Sequence, residues 1–319
     1  MKRQLMIALM TIPLYFLFSG CKDDPVLPEN EPVFPTLTGG YLGQSAPGNT
    51  PAIFAPGILS TEKNECNLAA YPGGNELYYL LVQSDNNTVI TRIFETKIDN
   101  GRWTVPKVMA LSGEYEDGYQ AIHPDGSRFY FQSNRPIDPS ESIYEWNIWY
   151  ADRVGDSWSE ARSMGNPING SNHTSGPSVT ANGTMYFTVM TLGGPNDIYR
   201  SELVNGQYQI PVKLPGNINK GQQQFDSYIA PDESYLIYCA YGRSDSFGST
   251  DLYVSFRDIS GNWSDEINLG PTINTKESEG SVTITADGKY IFYGRYNEDK
   301  SKGMDIYWFN AEFVENLRP

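Results

Sequence analysis

Five similar segments of about 50 residues follow one another along this chain of 319 residues. Each carries a tight-turn signal between apolar, alternating runs, and the signals are Pro72-Gly73-Gly74, Pro124-Asp125-Gly126, Ala181-Asn182-Gly183, Pro231-Asp232-Glu233 and Ala286-Asp287-Gly288. An aromatic, β-prone run follows every turn. Because Asp-Gly and Asn-Gly tolerate positive φ, the pattern predicts a β-hairpin in each segment. Self-similarity at this period indicates a repeat architecture.

Two further features recur in phase with the turns. An Asp-Ile-Tyr element is present as Asn147-Ile148-Trp149, Asp197-Ile198-Tyr199, Asp251-Leu252-Tyr253 and Asp305-Ile306-Tyr307, and Ile93-Phe94 takes its place in the first segment. An aromatic residue follows it in four segments, namely Trp103, Trp158, Tyr208 and Trp263. Each segment therefore predicts three strands and a fourth after the aromatic residue. Four antiparallel strands per segment are typical of a propeller blade, so we predict an all-β, single five-bladed β-propeller, with six blades as the alternative.

The fifth segment ends before its fourth strand, and a matching stretch lies near the start of the chain. Residues 52–61 resemble residues 266–275, and each stretch leads into an acid, Glu65 or Glu279. We therefore predict that the amino-terminal stretch supplies the outer strand of the last blade. Closing the ring in this way removes exposed strand edges. The predicted propeller covers residues 51–319.

The repeats resemble the TolB-type, WD-related β-propeller family over about residues 50–319. The most specific matching elements are Pro124-Asp125-Gly126 followed by Ser133-Asn134-Arg135-Pro136, and the closing Asp305-Ile306-Tyr307-Trp308. TolB itself has six blades, so a count of five departs from it. The resemblance implies a fold and no particular activity, because propellers serve binding, scaffolding and catalysis.

The amino terminus has the composition of a secretory signal peptide. Met1-Lys2-Arg3 precedes an apolar run from Leu5 to Phe18, and Ser19-Gly20 precede Cys21. The run is too short to span a bilayer comfortably. The segment resembles a bacterial lipobox, which implies removal of residues 1–20 and lipidation of Cys21. The alternative is an ordinary signal peptide with an incidental cysteine.

The residues after this cysteine indicate a destination. Lys22, Asp23 and Asp24 resemble the lipoprotein export signal of Bacteroidetes, which implies a lipid-anchored protein of the outer membrane, exposed on the cell surface. The alternative is a polar tether that faces the periplasm. Residues 21–50, rich in Pro, Gly and acids, are predicted to form the anchor and a flexible tether.

Acidic residues outnumber basic ones by 38 to 23, and the net charge is −15. Such a surface repels phosphate backbones and anionic head groups, which excludes nucleic acid as an expected partner.

The two remaining cysteines, Cys66 and Cys239, are predicted to be separate and buried. We expect a monomeric domain.

Acids recur near the predicted innermost strands, and arginines follow the second strands. The acids are Glu65, Asp117, Asp226 and Glu279, and the arginines are Arg135, Arg243 and Arg295. Gathered at the mouth of the central channel, they would bind a sugar, an anionic group or a cation, and spaced carboxylates would serve as acid and base. The alternative is that each acid pairs with the arginine of its own blade or caps a turn.

Signals for catalysis are otherwise sparse. The chain has two histidines, His123 and His173, and lacks zinc-protease and serine-hydrolase motifs. No cofactor is expected, and calcium at Asn297-Glu298-Asp299 with Gly303 and Asp305 is a weak possibility because the ligand spacing is irregular. We therefore predict a surface module that binds or scaffolds a glycan, peptide or partner protein. The alternative is a glycan-active hydrolase or lyase that uses the channel-mouth carboxylates.

Overall fold

A computed structural model describes residues 34–85, 88–138, 145–170, 172–296 and 303–319. Cys21, Lys22, Asp23, Asp24 and the predicted calcium ligands Asn297-Glu298-Asp299 lie outside the described residues. Within those residues the chain forms twenty-four β-strands, one three-residue 3₁₀ helix, Tyr41–Gly43, and one short helix, α1, Glu312–Glu315. No helix in this part of the chain is long and apolar enough to cross a membrane.

Strands of the described residues pair in five successive antiparallel groups. Group 1 contains β2 (Asn64–Ala70), β3 (Glu76–Asp85), β4 (Thr88–Asp99) and β6 (Lys107–Val108). Group 2 contains β7 (Asp117–Ile122), β8 (Arg128–Ser133), β9 (Asn147–Val154) and β11 (Arg162–Ser163). Group 3 contains β12 (His173–Val179), β13 (Met185–Met190), β14 (Asn196–Ser201) and β17 (Val212–Lys213).

Group 4 contains β18 (Gln223–Ile229), β19 (Tyr235–Tyr241), β20 (Thr250–Phe256) and β21 (Ile267–Asn268). Group 5 contains β22 (Ser278–Ile284), β23 (Tyr290–Tyr296), β24 (Met304–Asn310) and β1 (Ala52–Ile53). Four two-residue strands form small outer hairpins: β5 (Arg102–Trp103), β10 (Ser157–Trp158), β15 (Leu203–Val204) and β16 (Gln207–Tyr208). The five groups coincide with the five sequence segments, and the count of five blades for the whole protein stays a prediction.

The predicted closing strand is confirmed. In β1, Ala52 pairs with Trp308 and Ile53 pairs with Tyr307 of β24. Ser60 strengthens this seam, because its Oγ donates to Ile306 O at 3.3 Å and accepts from Ile306 N at 3.1 Å. The first strands contact one another in the cyclic order β2, β7, β12, β18 and β22, and β22 returns to β2. These first strands therefore surround one axis.

Aromatic side chains fill the space between neighbouring groups. Tyr78 of group 1 lies 5.1 Å from Phe129 of group 2, and Trp158 lies 5.3 Å from Phe129, measured between ring centroids. Burial of such rings stabilises the contact between adjacent sheets. The repeated aromatics therefore serve packing, as their positions on the strands predict. Cys66 and Cys239 are free thiols and both are buried, which confirms the prediction for them.

Residues 36–50 belong to the same compact unit as the strands, Thr36–Pro319. Trp103 donates from its backbone N to Leu37 O and from Nε1 to Gly39 O. Leu42 is buried, and the Tyr41 ring lies 5.3 Å from the Tyr290 ring. Residues 36–50, which were expected to belong to a flexible tether, thus form a strap along groups 1 and 5. The composition of this segment favours a tether. The strap nevertheless packs on the propeller through the backbone carbonyls of Leu37 and Gly39 and the side chains of Tyr41 and Leu42.

Every first strand contains a β-bulge at the same level. The register shifts in all five strands, and one residue of each bulge has a φ between 45° and 56°. These residues are Asn67, Tyr119, Gly176, Asp226 and Ser281. A positive φ is uncommon outside glycine, and such strained positions concentrate at functional sites. The five bulges form a ring around the axis, which we call the bulge ring.

Candidate functional site

Asp117 and Arg135 form a buried ion pair within group 2. Arg135 Nη2 donates to Asp117 Oδ1 at 2.8 Å and to Leu111 O at 2.7 Å. Leu111 lies on the connection from group 1 into group 2, so the arginine joins that connection to the first strand of its own group. The Asp117 side chain is fully buried, and burial raises the pKa of its carboxyl.

Group 5 repeats the arrangement. Arg295 Nε donates to Glu279 Oε1 at 2.9 Å, and Nη2 donates to Ile273 O at 2.8 Å. Thr275 also donates to the Glu279 carboxylate, from its backbone N at 3.1 Å and from Oγ1 at 2.7 Å. Burial raises the pKa of the Glu279 carboxyl. Acid and arginine are therefore both engaged inside the protein.

Glu65 has a threonine partner in place of an arginine. Thr61 donates to its carboxylate from the backbone N and from Oγ1, as Thr275 does to Glu279. Glu65 is buried, and burial raises the pKa of its carboxyl. The carboxylate caps the turn before β2, which matches the alternative role predicted for these acids.

Asp226 does not belong to the set in which the sequence analysis placed it. Asp117 and Glu279 lie two residues before the bulge of their strands, whereas Asp226 is itself the bulge residue of β18. The residue of group 4 that corresponds to the other acids is Gln224. Arg243 Nη1 donates to Gln224 Oε1 at 2.9 Å, and its Nε donates to Glu266 at 2.8 Å. Arg243 is therefore committed to partners other than Asp226.

Asp226 lies on the bulge ring without a basic partner. Its Oδ2 is 3.4 Å from Ser281 Oγ, and no lysine or arginine of the described residues forms a salt bridge with it. A Cβ placed at Gly176 would lie 3.5 Å from Asp226 Oδ1, so the absent side chain of Gly176 leaves a gap beside the carboxylate. Burial raises the pKa of Asp226 to about 7. The Asp226 carboxyl together with burial raises the pKa of Tyr119 well above its usual value.

A cleft of about 490 Å³ opens above the bulge ring, at the end of the propeller where the first strands begin. Tyr119 and Asp226 form its floor. Its remaining lining comes mainly from groups 2, 3 and 4, with two residues of group 1: Val89, Thr91, Glu116, Gly118, Gln132, Trp146, Ser175, Thr188, Met190, Asn196, Gln223 and Phe225. Among the described residues the lining contains no lysine and no arginine. We call this space the upper cleft.

Two buried polar side chains of the upper cleft have no hydrogen-bond partner in the described structure. They are Gln132 through Oε1 and Thr188 through Oγ1, and the residues are 5% and 0% exposed. A buried polar atom without a partner costs about 1–3 kcal/mol. Native proteins keep few such atoms, and each one calls for an explanation such as a bound ligand or water.

A smaller cavity of about 60 Å³ lies below the ring, on the axis. All five first strands line it, and Tyr119 and Asp226 line both spaces. These two side chains therefore separate the upper cleft from the axial cavity.

His123 lines the axial cavity, with Nδ1 2.7 Å from Asp125 Oδ1. His173 begins β12 half-buried and accepts a hydrogen bond from Trp146 N at 2.9 Å.

The described residues contain no group of three His, Cys, Asp or Glu side chains placed to hold a metal ion. Sequence reasoning missed Gln132, Thr188 and Trp146 as cleft residues, because none of them repeats between segments. A signal for Asp226 was present. Glu65, Asp117 and Glu279 lie seven residues before their turn signals, and Asp226 lies five before Pro231.

No family model matches the chain, and no curated protein matches it. Solved structures do. The native arabinanase Arb43A of Bacillus subtilis is 13% identical over 79% of this chain and 95% of its own, with a TM-score of 0.50. The endo-arabinase of Bacteroides thetaiotaomicron is 12% identical over 83% of this chain and 97% of its own, also with a TM-score of 0.50.

TolB from Acinetobacter baumannii is 18% identical over 80% of this chain, with a TM-score of 0.46. This chain spans 59% of that TolB chain. At these identities the likenesses show the fold alone. The strand pairing and the two arabinanases with a TM-score of 0.50 together show that the chain is a β-propeller.

Proposed function

We propose that this protein is a binding module that takes a glycan in the upper cleft. The observation that carries the proposal is the pair of buried, unpartnered groups, Gln132 Oε1 and Thr188 Oγ1, in one cleft. A ligand rich in hydroxyl groups would satisfy both. Binding sites of this kind combine apolar walls with a few placed polar groups.

Aromatic side chains complete the chemistry that a sugar needs. Tyr119, Trp146 and Phe225 line the same cleft as the two polar groups. Aromatic rings contribute large apolar contact area, and Tyr and Trp add a polar end. The absence of lysine and arginine from the described lining disfavours a phosphate, sulfate or carboxylate ligand. Neutral or amine-bearing sugars fit this set of groups better than acidic ones.

A glycan-binding screen of the full chain in mild detergent tests the proposal. The screen includes arabinan, because two arabinanases share the fold. Thr188→Val keeps the shape of the side chain and removes the hydroxyl, so it should weaken binding about tenfold, which corresponds to 1.4 kcal/mol. Thr184→Val makes the same substitution at a buried residue outside the cleft and should leave affinity unchanged. Equal affinities for the two variants would contradict the proposal.

Hydrolysis of the glycan is the second candidate function. Glu116 and Asp226 are two carboxyl groups in one cleft, and burial raises the pKa of Asp226 to about 7. A general acid in a glycosidase needs a raised pKa of this kind, with a second carboxylate nearby. Turnover of a bound glycan that is lost in Asp226→Asn and Glu116→Gln would favour hydrolysis. Binding without turnover would favour the binding module.

We also propose that Cys21 carries a lipid anchor and that Lys22, Asp23 and Asp24 direct the protein to the cell surface, at the outer membrane. The supporting features are the apolar run, the cysteine and the acidic residues after it. Cys21→Ala should release the chain from membranes. Neutral residues in place of Lys22, Asp23 and Asp24 should keep the anchor and hide the domain from protease added to intact cells. Unchanged protease sensitivity would contradict the export signal.

A further inference from the structure

We infer that the glycan bound in the upper cleft carries a positively charged amine, and that Asp226 recognises that amine. The inference rests on the proposed function and narrows its ligand to an aminated sugar. Three features support it: the position of Asp226, the sign of the charge in the described lining of the cleft, and the unpartnered acceptor oxygen of Gln132.

Asp226 is the acid within reach of a ligand that descends to the floor. Its carboxylate lies on the bulge ring and lines the upper cleft, whereas Asp117 and Glu279 are paired with arginines. Gly176, which has no side chain, leaves a gap beside Asp226 Oδ1. Gly176 lines the axial cavity, so this gap lies below the floor of the upper cleft, and a ligand reaches the carboxylate from the cleft side, where Asp226 itself is part of the lining.

The charged side chains in the described lining of the upper cleft are all acidic. Glu116 adds a second carboxyl to that of Asp226, and the described lining has no basic side chain. A desolvated carboxylate without a cation is costly, and in proteins such a group binds a cation or takes up a proton. A ligand ammonium would supply the missing charge. The other groups that face Asp226 are Ser281 of β22 and Tyr119 of β7, with the thiols of Cys66 and Cys239 nearby, and none of them is cationic.

The unpartnered groups also favour a donor. Gln132 presents a carbonyl oxygen, which only accepts hydrogen bonds, and the two carboxylates accept as well, whereas the Thr188 hydroxyl both donates and accepts. An ammonium group carries three donors and no acceptor. Tyr119, Trp146 and Phe225 line the same cleft, and a cation near the face of an aromatic ring is attracted by the charge distribution of the ring. A neutral hydroxyl has one hydrogen-bond donor and no charge, so it would form fewer hydrogen bonds with these acceptors than an ammonium would.

Three oligomers with the same β-1,4-linked backbone and the same length test the inference. They are glucosamine, N-acetylglucosamine and glucose oligomers, which differ only in bearing an amine, an amide or a hydroxyl at C2. Binding is measured by calorimetry near neutral pH with the full chain in mild detergent. We expect the amine-bearing oligomer to bind at least about tenfold more tightly than either of the others.

Variants identify the residue responsible. Asp226→Asn keeps the shape of the side chain and should abolish the preference for the amine while it retains binding of the neutral oligomers. Glu145→Gln removes the same charge from an exposed residue next to Trp146, and it should keep the preference. General attraction to the acidic surface would survive Asp226→Asn and would thereby contradict the inference.

The remaining outcomes separate the two proposals. Equal affinities for the three oligomers would overturn the amine inference and support the proposed function. Binding of the neutral oligomers alone would do the same. No binding of any of them, together with no binding in the glycan screen, would overturn the proposed function, and the amine inference would fall with it.

Discussion

Arg295 and Glu279 face each other across the β22–β23 pair, and the guanidinium donates from Nε to Oε1 at 2.9 Å. The same guanidinium donates to the carbonyl of Ile273, on the connection that enters group 5. The pair therefore fixes how the chain passes from group 4 into group 5. Substitution of Arg295 should therefore lower the stability of the fold and should not act directly on ligand affinity.

Arg295→Ala should lower the free energy of unfolding by about 3 kcal/mol, because it leaves the fully buried Glu279 carboxylate without its charge partner. Chemical denaturation measures the change. Lys289→Ala breaks an ion pair with Asp287 on the surface of the same group and should leave the midpoint unchanged. A loss of glycan affinity in Arg295→Ala without any loss of stability would assign the arginine to the binding site.

Asp226→Asn should become increasingly more stable than the wild-type protein as pH rises. The pKa of the folded state is about 7, above the ordinary value of 3.8, so the folded protein holds this proton more tightly than the unfolded chain does. The Asp226 carboxyl makes its full contribution to the free energy of unfolding of the wild-type protein below about pH 4, where it is protonated in both states. That contribution, up to about 4 kcal/mol, is lost as the pH rises through about 7. Unfolding of both proteins between about pH 5 and pH 8 gives the difference. A difference that does not vary with pH would show that Asp226 keeps an ordinary pKa.

Leu42→Ala tests whether the strap belongs to the folded unit. Leu42 is 1% exposed, and removing a buried leucine side chain costs about 2–5 kcal/mol. Leu192→Ala makes the same change at a residue that is 98% exposed, and its melting temperature should match that of the wild type. If Leu42→Ala also melts like the wild type, residues 36–50 are a tether after all.

Gly176→Ala should narrow the space beside the Asp226 carboxylate, on the side of the axial cavity. A residue other than glycine at a φ of +55° costs about 1–2 kcal/mol, and the new methyl group would lie 3.5 Å from Asp226 Oδ1. Gly57→Ala places alanine at a φ of +74° with no atom within 4 Å, so it carries the backbone cost alone. Glycan affinity should fall in the first variant only. Equal affinities would show that the gap is not used.

The sequence predicts the fold through features that repeat. Turn signals such as Pro124-Asp125-Gly126 lie between the first and second strands as expected, and the match between residues 52–61 and 266–275 predicts the pairing of Ala52 with Trp308. A pattern that recurs in five segments predicts the same strands five times, so the strand assignment does not depend on any single segment. Features that occur once have no such support.

The upper cleft and the strap are features of that kind. Gln132 and Thr188 line one cleft because groups 2 and 3 lie side by side around the axis, and the sequence around either residue does not mark it as a binding residue. Asp226 lies five residues before the turn at Pro231, whereas Asp117 lies seven before Pro124, so the two acids occupy different positions in their strands. The strap binds largely through backbone carbonyls such as Gly39 O, which any residue type supplies.

The seam between Ser60 and Ile306 joins residues 246 positions apart. Synthesis delivers Ser60 well before Ile306, so strand β1 has no partner until the residues between them have emerged. Contacts between such distant residues carry a loop-closure cost that slows folding. Premature termination before Met304 would leave the ring without β24 and strand β1 without a partner. Such a truncated chain would expose the unpaired edges of β1 and β23, which are sites for pairing with other chains.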